Sequence, residues 1–349
     1  AMSTVYPTSA AATSRPVPHL LLAFAACADA NWLMTLKALP AAHTSHFAKL
    51  LQGMQLVQTD TGDALSMSPP HERALARVHG LGGDGLRDGL GDGLIPWAAW
   101  EHEQRSQGEA GEETRARSWA YVTPCHWLMG REHATLTDPD ALALSEADSR
   151  ALLAAMQVYF EADGIRLHYV APQRWLAEGD IFRDLPTASL DRVLGRSVDP
   201  WLPAGSSGKT LRRLQNEMQM LLYTHPINDA RSSQRQLPVN SIWFSGTGDL
   251  PEQGRRPGAT PERQQLSTPR TLVDAALRDD WQGYASAWAA LDALEGKDWL
   301  ARQSAGEVVR LTLCGERSAL TFESAPRSLR GRLTQLLKPK PLLDLLETL

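Results

Sequence analysis

The chain has 349 residues, 43% of them hydrophobic and 21% charged, with a formal net charge of −5. That length accommodates two domains or one large α/β domain, and the composition is that of an ordinary globular protein. The acidic balance provides no basic field, which argues against general DNA or RNA binding, and no apolar run approaches the ~20 residues of a membrane span.

Three cysteines, Cys27, Cys125 and Cys314, form an odd and sparse set without CxxC or Cys/His zinc spacing. They suit a reducing, cytoplasmic compartment rather than a disulfide framework. Eleven Trp against six Phe predict rings at half-buried seams, where each indole N–H finds a partner.

In chain order, residues 1–17 are Ser, Thr, Ala and Pro and read as disordered. The run Leu-Leu-Leu-Ala-Phe-Ala-Ala-Cys over 20–27 resembles a short export-signal core ending in a lipoprotein-type Cys27. Only Arg15 adds positive charge ahead of it, and Pro16 and Pro18 interrupt the approach. A buried first strand over 19–26 is therefore the expectation. Residues 33–54 read as a helix broken near Pro40, 56–59 as a short strand, and Ser68-Pro-Pro-His-Glu as the start of a helix reaching about 78. Over 80–94, Asp-Gly-Leu recurs with a period of four. A calcium-binding repeat needs several stacked longer copies, so a flexible loop is expected. Residues 101–117 continue as a polar connector.

A strand is expected over 119–127, a Ser145-capped helix over 145–162, strands over 165–170 and 174–176, and helices over 189–195 and 211–223. A strand follows over 239–244. Residues 249–270 are rich in Pro, Gly and Arg and read as a linker. A helix over 280–294 precedes a hairpin of strands 308–313 and 318–322. From Leu329 the tail is amphipathic and basic, suited to packing on the body, on a second subunit in a homodimer, or on a membrane surface. The boundaries expected are an N-terminal α/β part (18–100), the connector (101–117), a central α+β lobe (118–248) and the linker (249–270). A C-terminal part (271–325), which could complete the N-terminal lobe, and the tail (326–349) end the chain. Alternating strands and helices argue for α/β architecture with a mixed sheet.

Five constellations could carry chemistry. Gly205-Ser-Ser-Gly-Lys209-Thr210 looks like a phosphate-binding loop, but Pro203 stands where a glycine amide is needed and no buried strand precedes it. Asp60, Asp63, Ser66, Ser68, His71 and Glu72 form a polar cluster. A Ser there could be a metal-activated nucleophile, with Asp60 and Asp63 as metal ligands. Equally, Ser68 could cap the helix and Glu72 sit in its positive first turn. His126 ends a strand and could bind a ligand or transfer a proton. Arg183, Arg192 and Arg196 could grip a carboxylate or phosphate.

The fifth is His225-Pro-Ile-Asn228-Asp-Ala-Arg231, a polar spacer, then Asn240 and the Gly246-x-Gly248 turn. Pro226 is read as stopping the preceding helix, so that His225 projects from its end. Gly246 and Gly248 would let a ligand approach the backbone closely.

This stretch resembles the His-Pro-Val-Asn-x-x-Arg and Asn-x-x-x-x-Arg-Gly-x-Gly elements of archaeal-type, cofactor-independent phosphoglycerate mutases, with Ser245 in place of the second Arg. Over most of its length the chain resembles a proteobacterial family described as regulatory protein, RpfE type. The runs concerned are Ser68-Pro-Pro-His-Glu-Arg-Ala-Leu-Ala, Val122-Thr-Pro-Cys-His-Trp, Leu185-Pro-Thr-Ala-Ser-Leu-Asp-Arg-Val, Leu214-Gln-Asn-Glu-Met-Gln-Met-Leu-Leu-Tyr-Thr-His-Pro and Leu311-Thr-Leu-Cys-Gly-Glu-Arg. The mutase resemblance implies an alkaline-phosphatase-like α/β fold: a mixed, mostly parallel sheet flanked by helices, with a second α+β lobe. It also implies phosphoryl transfer from a Ser nucleophile beside two metal ions. Here the first apolar run ends in Ala26-Cys27-Ala28 with Asp29 as the nearest acid, and no His follows His225. Two divalent ions cannot be held without such ligands. The expectation is a degenerate, non-catalytic relative that needs no cofactor. It would bind a small anionic metabolite or a protein partner through His126, Arg192, His225, Asn228, Arg231, Asn240, Gly246 and Gly248. The alternatives are a Mn- or Zn-dependent phosphomutase or phosphohydrolase using Ser66, Ser68 or His71, and a protein-interaction module.

Overall fold

A computed structural model describes residues 17–81, 91–106, 117–250, 265–324 and 341–349. Most of the predicted N-terminal disorder, the Asp-Gly-Leu repeat, the connector, the linker and the basic part of the tail lies outside those residues. Strand β1 (His19–Leu22) is buried at every position. Helix α1 (Ala30–Ala38) begins where the Asp29 carboxylate accepts the Asn31 N–H, and it ends ahead of Pro40. Helix α2 (Ser45–Gln52) closes at Gly53 and leads straight into β2 (Met54–Thr61). The second helical segment therefore ends two residues short of the sequence expectation, and the strand is eight residues long. Helix α3 (Pro70–Val78) opens on Pro69 and Pro70, whose missing N–H groups would have no helical acceptor anyway. Helix α4 (Trp97–Arg105) occupies the start of the predicted connector. A short Trp/Ala surface holds it, a pattern too brief to read as helical periodicity.

The central lobe follows with β3 (Trp119–Cys125), β4 (Trp127–Met129), β5 (Ala134–Leu136), α5 (Glu146–Glu161), β6 (Arg166–Ala171) and β7 (Arg174–Glu178). Its remaining elements are α6 (Leu190–Val193), α7 (Gly205–Tyr223), α8 (Pro226–Ser233) and β8 (Ser241–Gly248). The chain then forms β9 (Leu266–Ser267), α9 (Thr271–Leu277), α10 (Trp281–Leu291), a π-helical turn (Asp292–Gly296), α11 (Lys297–Ser304), β10 (Arg310–Cys314), β11 (Ser318–Ser324) and α12 (Leu342–Leu346). The residues Gly205 to Thr210 are the first turns of α7, so no phosphate-cradling loop exists there.

Two sheets organise these elements. The first has the order β2-β11-β10-β1-β9, with β1 parallel to both β10 and β9, and β11 antiparallel to β10 and β2. It is mixed, with parallel and antiparallel pairings in equal number. The late hairpin β10–β11 lies between the early strands β1 and β2, so one core holds Leu20, Leu22, Phe47, Leu50, Trp288, Leu311 and Leu313 together. Helix α12 packs on the same core through Leu342 and Leu346. The second sheet, β6-β7-β3-β8, is antiparallel throughout and is covered by α5 and α7. No helix among the described residues is long and apolar enough to cross a membrane.

The tryptophans depart from expectation. Trp119, Trp175, Trp243 and Trp288 are almost fully buried. Burial becomes affordable where the N–H is met internally: Trp175 donates to Ser149 Oγ at 2.9 Å and Trp243 to the Ala188 carbonyl at 3.1 Å.

Leu311 is fully buried in a strand flanked by β1 and β11, whereas Met220 is 73% exposed. Leu311→Ala should therefore lose about 2–5 kcal/mol in urea denaturation, while Met220→Ala should stay within about 0.5 kcal/mol of the parent.

Candidate functional site

Three elements meet where the two lobes join. The first turn of α3 carries His71 and Glu72. The start of α6 carries Asp191, and its cap residue Ser189 accepts the Asp191 N–H at 3.2 Å. Arg270 stands immediately before α9. His71 Nε2 lies 3.0 Å from Asp191 Oδ2. Arg270 grips the same carboxylate with two bonds, Nη2 to Oδ1 at 2.9 Å and Nη1 to Oδ2 at 3.1 Å. Glu72 accepts from the Ser189 hydroxyl and, at 3.2 Å, from the Trp97 indole. The His71 ring also packs against Phe24, 5.8 Å between centroids, in the turn that follows β1.

These contacts set the charges. Burial alone would raise the Asp191 carboxyl, but hydrogen bonds and charge from His71 and Arg270 outweigh it and hold the group well below the usual carboxylate range. Burial raises Glu72, opposed by His71 and by the Ser189 and Trp97 bonds. His71 faces the Asp191 carboxylate through Nε2, and its Nδ1 is buried without a partner among the described residues.

Glu72, Asp191 and Arg270 line a cleft of about 630 Å³ between the lobes, opposite Tyr121, Ser245 and Gly246. Gly246 is required there. Its φ is +62°, and a Cβ would come within 2.9 Å of the Tyr121 ring and 3.1 Å of Trp97.

His71, Glu72 and Asp191 are also the one group among the described residues whose donor atoms converge as metal ligands would, all within 4.8 Å of one another. They fit a two-ion centre poorly. Three donors cannot complete two coordination shells, and both Asp191 oxygens already accept from Arg270.

The other residues singled out from sequence are placed differently. Asp60 on β2 is clamped by Arg73 and Arg77 at 2.8 and 2.7 Å. Asp63 accepts the Leu65 N–H, and its own N–H donates to Ser66 Oγ at 3.0 Å. Ser68 does not cap α3: its buried hydroxyl accepts the Gly93 N–H at 2.9 Å, and Pro69 occupies the cap position. Of that polar cluster, His71 and Glu72 reach the cleft group and the serines do not.

His225 does not hang from the end of α7. It caps α8, its Nδ1 accepting the Ile227 N–H, and Pro226 opens that helix. Asn228 donates to the Leu222 and Val239 carbonyls and accepts the Val239 N–H. Arg231 donates to the carbonyls of Leu237 and Leu142. Asn240 clasps Trp127, accepting its N–H and donating to its carbonyl, while His126 Nδ1 meets the Pro238 carbonyl at 2.9 Å. His126, Asn228, Arg231 and Asn240 fasten the segment between α8 and β8 to the rest of the lobe, and none of the five side chains lines the cleft. Gly248 packs against Pro96. Arg192 is 1% exposed. Burial first, and then nearby Arg196 and Arg73 against Glu316 and Asp92, bring its guanidinium down to about 10.

Sequence reasoning missed Asp191 and Arg270. Asp191 sits beside Arg192, in a helix that was expected, but nothing in the spacing pairs it with a histidine 120 positions away. Arg270 fell in the presumed linker.

No protein-family profile matches the chain. Similarity to known proteins is partial. A 2,3-bisphosphoglycerate-independent phosphoglycerate mutase of Methanosarcina mazei is 25% identical over 127 residues, covering 36% of this chain and 32% of the mutase. That of Methanosarcina barkeri is 23% identical over 170 residues, covering 48% and 40%. A probable enzyme of the same description from Geobacter sulfurreducens is 28% identical over 120 residues, covering 33% and 29%. The matches thus span 29% to 40% of these relatives' length. Among solved structures, a cofactor-independent phosphoglycerate mutase from Thermoplasma acidophilum covers 95% of this chain and 99% of its own, at 12% identity and a TM-score of 0.33. A Pyrococcus horikoshii protein covers 89% of each chain at 11% identity and 0.42. The chain is a distant homologue of the cofactor-independent phosphoglycerate mutases.

Asp191→Asn removes the charge that both His71 and Arg270 face. It should cost about 1–3 kcal/mol at neutral pH, at the low end because Arg270 is half exposed and screened. A lowered carboxyl contributes stability above its unfolded value and loses it as pH falls toward the folded one. The gap between parent and variant in denaturant titrations should therefore narrow below about pH 4.

Proposed function

We propose that this chain is a phosphoglycerate-mutase-like protein that works by binding, in the regulatory sense the RpfE-type resemblance implies, and not by two-metal phosphoryl transfer. The observation that carries this reading is the hydrogen-bond network around Asp191 at the cleft. Both Asp191 oxygens are taken up by His71 and Arg270, and Glu72 is held by Ser189 and Trp97. Neither Ser66 nor Ser68 lines the cleft, and each hydroxyl accepts a backbone N–H elsewhere. Phosphoryl transfer of the two-metal type needs ions clamping both attacking and leaving oxygens. The arrangement instead suits recognition: a cleft walled by Tyr121 and Gly246, with Arg270 at its floor, takes a small acid or the side chain of a protein partner. Three unpaired cysteines, two of them buried, support a cytoplasmic setting. Self-association into a homodimer is compatible with this role.

The rival reading is a metal-dependent phosphomutase or phosphohydrolase. It is favoured by the convergence of His71, Glu72 and Asp191. If Arg270 left Asp191, those three residues would hold one ion, which would supply Lewis-acid polarisation of a phosphoryl oxygen.

Elemental analysis after incubation with Mn²⁺ or Zn²⁺ and desalting separates the two. The binding reading expects no tightly held ion and no turnover of phosphoglycerate. Retention of at least one equivalent per chain, with turnover, would establish the enzyme reading.

A further inference from the structure

The first sheet has two unlike faces. Leu20, Leu22, Leu311 and Leu313 point to the apolar core. Period-two alternation puts His19, Arg310, Thr312, Thr321 and Gln58 on the opposite face, and the strand registers bring them side by side: His19 with Arg310, Thr312 with Thr321, and Thr321 with Gln58. Helix α3 covers that face with Ala74, Arg77 and Val78, leaving a cavity of about 280 Å³.

The floor of this cavity is a buried chain of hydrogen bonds across three strands. His19 Nε2 lies 2.8 Å from Thr312 Oγ1, which lies 2.9 Å from Thr321 Oγ1. All three side chains are more than nine-tenths buried. Burial, and next the charge of Arg310, pull the His19 imidazole down to about 4, so at neutral pH it acts as a hydrogen-bonding group without charge. The cavity lining carries two guanidiniums, Arg77 and Arg310, and no carboxylate. Each guanidinium is tied on one side only. Arg77 donates through Nη1 to Asp60, and Arg310 through Nε and Nη2 to Glu323. Arg77 Nη2 and Arg310 Nη1 make no hydrogen bond to the described residues, so both keep donors for a further acceptor.

We infer that the cavity between α3 and the polar face of the first sheet is a binding site for a small oxyanion, phosphate or carboxylate. Arg77 and Arg310 supply the charge, and the His19–Thr312–Thr321 chain supplies oriented hydrogen bonds. A cavity wall carrying two part-exposed arginines with spare donors, buried hydroxyls and no acid in its lining favours an anion over a cation or an apolar ligand. The volume holds an ion or a short acid and excludes a nucleotide. The site lies at the end of the sheet where β1 and β10 begin, whereas the cleft lies beyond the ends of those strands. It is therefore independent of the binding proposed there.

Calorimetric titration of the full chain with inorganic phosphate, and separately with malonate, tests this. Binding of either anion at one site per chain is the expected result, and the better of the two identifies the acceptor as phosphate or carboxylate. Arg77→Gln should weaken binding at least about tenfold, and Thr321→Val about threefold. Arg150→Gln, on α5 in the other lobe, should leave it unchanged. Arg77 is partly exposed and Asp60 keeps Arg73, so thermal unfolding without anion should match the parent closely. The inference is overturned if neither anion binds at about 10 mM. It is equally overturned if binding survives both cavity variants, or if it is lost in Asp191→Asn instead, which would assign the anion to the cleft.

Discussion

The structure depends on the parallel pairing of β1 with β10. A four-residue strand buried on both faces cannot stand alone, because each backbone N–H and C=O must be matched before it leaves water. His19 is matched with Arg310 and Leu22 with Leu313, and the Ala25 N–H continues the ladder to the Cys314 carbonyl at 2.8 Å. That single pairing brings the two ends of the chain together. It fixes the end of β1 where Phe24 supports His71, and it sets the start of β1 against Arg310. Both proposed sites follow from it, one past the end of the strand and one on the polar face of its sheet.

Between the lobes the organising element is charge. Asp191 comes from the central lobe, His71 from the N-terminal part and Arg270 from the segment leading back into the first core. A carboxylate taken out of water is stable only when paired and fully hydrogen-bonded. Its two partners come from outside its own lobe, so the network also fastens the lobes to each other. The same network ties up both Asp191 oxygens, while His71 Nδ1 stays buried without a partner among the described residues.

The residues that most resembled a binding motif serve the backbone instead. Asn228, Arg231 and Asn240 have side chains able to imitate a peptide group or to fork between carbonyls, and the segment between α8 and β8 lacks a strand partner for much of its length. Asn228 and Arg231 satisfy its backbone groups at Leu237 and Val239, and Asn240 satisfies those of Trp127. A motif built from Asn, Arg and His is thus compatible with two different uses, and local sequence does not separate them. The polar cavity shows the reverse case. Threonines in a strand look like ordinary β-formers, and only their register with His19 reveals a hydrogen-bonded floor.

The sequence by itself determined most of the local structure. Pro40 ends α1, Ser145 caps α5, the leucines of 20–22 form a buried strand, and the 310–324 region forms a hairpin. Each depends on residues a few positions apart, where dihedral preference and hydrophobic period act directly. Local signals failed where two uses share one residue type: Ser68 as cap or as loop anchor, His225 as helix end or as helix start. The tertiary structure alone decided which strands are neighbours and which charges meet. His71 meets Asp191 across 120 positions and His19 meets Thr312 across 293. Such contacts arise from burying two lobes on shared elements, a property of the whole chain that no window of sequence contains.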